Sequence, residues 1–86
     1  MTIMSEAAAI QEKALRVLRA AVLDAGSEPG THVSRARVMQ EAGISDTGEF
    51  VRIARYLAER RLIDEGVNDY EFFVVTLEGI AAGARY

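Results

Sequence analysis

The sequence predicts an α+β domain: a three-helix core, then a C-terminal two-stranded hairpin and a short terminal helix. Three observations carry that expectation. An alanine-rich apolar stripe runs from Ser5 to Asp24 without proline or glycine. Phe50, Ile53, Ala54 and Leu57 recur at i, i+3, i+4, i+7 behind Asp46, the spacing of a one-faced helix. From Tyr70 to Thr76 the composition then turns aromatic and β-branched, as strands require.

In the first segment Ile10, Ala14, Val17, Leu18 and Ala21 share one side, and Leu15 and Val22 widen it. The apolar arc covers roughly half the circumference, more than a helix lying on one surface needs. Two readings account for it: burial against several elements at once, or contact with a second copy of the chain. Asp24 to Gly30 follows as a loop, punctuated by Gly26, Ser27, Pro29 and Gly30.

A second helix is expected from Arg35 to Ala42, with Ser34 as N-cap and Gly43 as the left-handed residue past its end. Its inner face is Val38, Met39 and Ala42. Asp46 and Glu49, three apart, then resemble a capping box at the start of a third helix, Thr47 to Arg60. Leu62-Ile63 opens a strand, Gly66 to Asp69 supplies a turn, and Tyr70 to Thr76 returns as the partner strand. Thr76 can cap a last helix through Leu77, Ile80 and Ala81, which Gly79 and Gly83 would weaken.

With 86 residues the chain is read as one domain, 1–86, able to bury roughly 60–65% of its unfolded surface. Net charge is −3 but unevenly spread. Residues 31–61 hold six arginines against four acids, whereas 62–86 hold five acids against Arg85. Only the middle third would welcome a polyanion. There is no cysteine, which excludes disulfides and thiolate metal sites and fits a reducing, cytoplasmic setting. The amino end has neither the basic region nor the apolar run of a signal peptide or membrane span.

The stretch from Val38 to Ser45, followed by Val51-Arg52-Ile53-Ala54-Arg55-Tyr56-Leu57-Ala58-Glu59-Arg60-Arg61-Leu62-Ile63, resembles winged helix-turn-helix transcriptional regulators. Val75-Thr76-Leu77-Glu78-Gly79 is similar to that family's "LTxxG" helix start. The resemblance runs from about Val33 to Ala82, with the helix-turn-helix at about 34–60 and the wing at about 62–76. It departs at two points. Arg61 stands where the family has a glycine that leaves the helix in a left-handed conformation. The hairpin carries Asp64, Glu65, Asp69 and Glu71 and no base, where the family's wing often carries Lys or Arg toward DNA.

The resemblance implies a DNA-binding regulator, with the third helix in the major groove of double-stranded DNA. Arg52 and Arg55 would approach base edges, and Thr47 and Gly48 would let the helix come close. Arg35, Arg37, Thr47 and Arg60 would meet phosphates. A homodimer through the first helix would space two such helices about one duplex turn apart. A different class competes: a winged helix that docks a protein partner through its acidic hairpin or third helix, without touching DNA. Arg52 and Arg55 would then be a solvated face, Arg55 pairing with Glu59 four residues on.

No catalytic or cofactor role is expected, because there is no nucleophile with a plausible base and no glycine-rich phosphate loop. His32, the lone histidine, lacks companions for a metal site. Tyr56, Tyr70, Phe72 and Phe73 read as packing residues rather than a platform for bases.

Overall fold

The structure, a computed structural model, describes residues 2–65 and 71–85, with side-chain surroundings over 12–65 and 71–83. The elements are α1 (Thr2–Asp24), β1 (His32–Ser34), α2 (Arg35–Ala42), α3 (Thr47–Glu59), β2 (Ile63–Asp64), β3 (Phe72–Val75) and α4 (Leu77–Arg85). The class is α+β: among the described residues, four helices and a three-stranded antiparallel sheet in the order β1-β3-β2. The turn expected at Gly66–Asp69, and Tyr70 with it, lies outside the described residues.

The sheet differs from the expected two-stranded hairpin. β2 and β3 do pair, Ile63 with Val75 and Asp64 with Val74. But β3 is the central strand, because β1 pairs along its other edge, Val33 opposite Phe73. Gly30 N–H to the Val75 carbonyl (3.0 Å) and Arg35 N–H to the Glu71 carbonyl (2.8 Å) bracket that ladder. His32-Val33-Ser34 has one apolar residue and no alternation of its own. It becomes a strand because β3, some forty positions later, offers an unpaired edge.

α1 begins at Thr2, three residues earlier than expected, since nothing between Thr2 and Ser5 breaks a helix. Over 14–25 its wide arc is consumed inside the chain: Ala14, Val17, Leu18, Ala21 and Val22 are buried, with Ala20 and Ala25. They pack where α2, α3 and α4 all meet α1. Of the two readings of that arc, internal burial accounts for these positions. Phe50, Ile53, Ala54 and Leu57 face the same core from α3, and Phe50 lies tilted on Phe73 of β3, 6.3 Å between ring centres. Burial also takes Val38, Ala42 and Ile44.

The helix ends follow local chemistry. The Ser34 hydroxyl accepts from Arg37 N–H at 3.3 Å and starts α2. Gly43, at φ 74°, ends it, with Ile44 N–H bonded back to the Met39 carbonyl. α3 ends by the same wrap without glycine. Leu62 N–H reaches the Leu57 carbonyl and Arg61 N–H the Ala58 carbonyl, both at 3.0 Å, which puts Arg61 at φ 61°. The chain adopts the turn that glycine would have made easy, and Arg61 carries the strain of about 1 kcal/mol.

The glycines of α4 do more than weaken it. A β-carbon at Gly79 would sit 2.0 Å from the Leu62 carbonyl oxygen, and one at Gly83 would meet Val22 at 2.8 Å. Their bareness lets α4 lie against the α3–β2 turn and α1. No helix among the described residues is long and apolar enough to cross a membrane.

Candidate functional site

α2 and α3 are joined by Gly43 to Asp46, a short turn whose register is set by burial of Ile44. At its far side the Asp46 carboxylate accepts from Gly48 N–H at 3.1 Å and opens α3. The capping box is half realised. Glu49 does not reach back to the turn; its carboxylate takes the Lys13 ammonium of α1 at 2.5 Å. That pair braces α3 against α1 and removes an acid from the helix's outer face.

With Phe50, Ile53 and Leu57 held inward, the helical period turns Gly48, Arg52, Arg55 and Glu59 outward, with Thr47 and Val51 beside them. All six are exposed, Val51 to 42%. Arg52 and Arg55 make no ion pair or hydrogen bond with any described residue, so the Arg55–Glu59 pair of the competing solvated-face reading does not form. At the end of the helix the Arg60 guanidinium lies over the Tyr56 ring, 3.8 Å from its centre.

The two arginines at the start of α2 are placed differently. Arg35 is mostly covered and donates to the Glu65 carboxylate at 3.2 Å, tying the hairpin to α2. Arg37 keeps 70% of its side chain exposed while its Nε stands 3.6 Å from both Asp24 and Glu41. Asp24 is nearly buried at the C-terminal end of α1, where the helix dipole disfavours an anion. Arg37 therefore offsets two carboxylates at the α1–α2 junction. The neighbouring Asp24 carboxyl is the main cause that raises Glu41 above the ordinary carboxylate range. Burial adds to it and Arg37 opposes it.

The structure thus gathers Thr47, Gly48, Arg52 and Arg55 on one open face. Arg60 sits at the helix end, against an aromatic ring, and Arg35 and Arg37 are engaged with acids. Sequence reading passed over Val51, whose exposure follows from the wheel once Phe50 and Leu57 fix the inner side. His32 lies on β1, edge-on to Phe72 at 6.4 Å. Phe73 is fully buried, Phe72 and Tyr56 partly so. Among the described residues no three His, Cys, Asp or Glu side chains gather to hold a metal. No protein-family model, no curated protein and no solved structure matches this chain.

Proposed function

We propose that the chain is a winged helix-turn-helix DNA-binding protein of the transcriptional-regulator kind, which lays the first half of α3 in the major groove. The observation that carries this reading is the state of Arg52 and Arg55: exposed, side by side on the outer face of α3, and unneutralised among the described residues. Lys13, Arg35 and Arg37 spend their charge on acids of the same chain. An isolated arginine pair on a helix is ordinary surface; on the second helix of a helix-turn-helix it is a reader of guanine edges. The α+β order, helix pair then hairpin, is compatible with that assignment.

In this reading Thr47 and Gly48 admit the duplex and Thr47 meets a phosphate with the N-terminal amides of α3. Arg60 extends contact along the backbone, and Arg35 and Arg37 join only by sharing their guanidinium groups with Glu65 and with Asp24 and Glu41. The protein works in the cytoplasm as a homodimer whose two α3 helices reach successive groove faces. Because the arc over 14–25 is spent internally, α1 would dimerise through what lies outside it, such as Leu23, 79% exposed.

A second reading, a protein-docking module, is favoured by the exposure of Leu23 and of Leu77, the latter 67%. Fluorescence anisotropy of a labelled random duplex at low salt separates the two. Binding that weakens steeply with salt, and several-fold with Arg52→Ala or Arg55→Ala, supports DNA. Absence of binding leaves the docking module.

A further inference from the structure

Apolar side chains standing singly on a surface are unremarkable. Val51 is set apart by its company. It is the large hydrophobic residue of α3 that stays exposed among the described residues, at 42%, and it sits one turn beyond Thr47 and next to Arg52. One flank of it borders a shallow apolar groove with Ala36, Met39 and Phe72. As a β-branched residue in a helix it has essentially one χ1 rotamer, so its methyl groups stand in a fixed direction.

In the major groove one base carries an apolar group, thymine with its C5 methyl. A rigid methyl-bearing side chain beside Arg52 and one turn before Arg55 is matched to that group and to nothing else on the groove floor. We propose that Val51 is a specificity-determining residue that packs on a thymine methyl. The preferred site then contains an A·T pair next to the pairs that Arg52 and Arg55 approach. The inference rests on the DNA-binding reading above and adds to it the base composition of the site.

The test selects a preferred duplex from a randomised pool, then replaces each thymine in turn by uracil, which lacks only the methyl. One replacement should weaken binding about fourfold, the loss expected for one buried methyl group. Val51→Ala, an exposed change that leaves the fold in place by circular dichroism, should bind the thymine and uracil duplexes equally. Val51→Thr, which keeps the branch and one methyl, should retain part of the preference. If no uracil replacement matters, or if Val51→Ala discriminates as the parent does, the inference is overturned while DNA binding stands. If no duplex is bound at low salt, both fall together.

Discussion

The Thr76 hydroxyl donates to the Arg61 carbonyl at 2.6 Å, lies 3.0 Å from the Leu62 carbonyl, and accepts from Gly79 N–H at 3.0 Å. One side chain therefore closes the wrap at the end of α3 and opens α4. Thr76 N–H adds a bond to the Leu62 carbonyl at 3.1 Å. α3, the strand that follows it and the terminal helix meet at this point. Replacing Thr76 by valine keeps the shape and removes the hydroxyl. The expected cost is about 1–2 kcal/mol in urea unfolding, the sum of a lost cap and an unsatisfied carbonyl. An unchanged midpoint would show that the junction is held by packing alone.

Arg61 beside it should respond in the opposite sense. Its left-handed conformation costs about 1 kcal/mol. Glycine there relieves that cost but brings a more flexible unfolded chain. The balance predicts that Arg61→Gly gains about 0.5 kcal/mol and raises the thermal midpoint by a few degrees. Loss of stability would mean that the exposed guanidinium contributes more than the backbone costs.

Gly79 tolerates no such exchange. A methyl group there would overlap the Leu62 carbonyl oxygen, which is backbone and cannot swing aside. Gly79→Ala should destabilise by about 1–3 kcal/mol, or force α4 off the α3–β2 turn, as overpacking does. Thermal unfolding with circular dichroism reads the first outcome, and changed amide shifts at Leu62 and Val75 the second.

Glu41 supplies a pH signature at the α1–α2 junction. Its folded carboxyl holds a proton to higher pH than in the unfolded chain. Where the folded state binds more protons, stability falls as pH rises. The parent should therefore gain stability relative to Glu41→Gln on acidification through the window from just above the ordinary carboxylate range down into it. Parallel denaturation series from neutral pH to mild acid measure the difference. A difference independent of pH would contradict the upward influence of Asp24 on Glu41.

The ends of α2 and the start of α3 were legible because their signals are local, whereas the start of α1, with no cap to mark it, lies three residues before the expected one. Ser34, Gly43 and Asp46 act within three or four residues, and the inward stripe of α3 needs only the helical period. What escaped was non-local. β1 exists because β3 has a free edge; Glu49 turns from its expected cap to Lys13, 36 positions away; Arg35 finds Glu65, 30 positions on. The same partnerships sort the candidate site, leaving Arg52 and Arg55 open while Arg35 and Arg37 are engaged. A helical wheel places side chains on a face but does not say which charges the fold has already neutralised.

The central claim is that the outer face of α3, rather than general basicity, meets DNA. The most direct measurement compares two double variants of equal charge for duplex affinity at low salt. Arg52→Gln/Arg55→Gln empties the α3 face, and Arg16→Gln/Arg19→Gln removes the same charge from the exposed side of α1. A loss of tenfold or more in the first pair, about 1.4 kcal/mol or greater, with little change in the second, is the predicted result. Equal losses in the two pairs, or no measurable binding by the parent, would contradict the account.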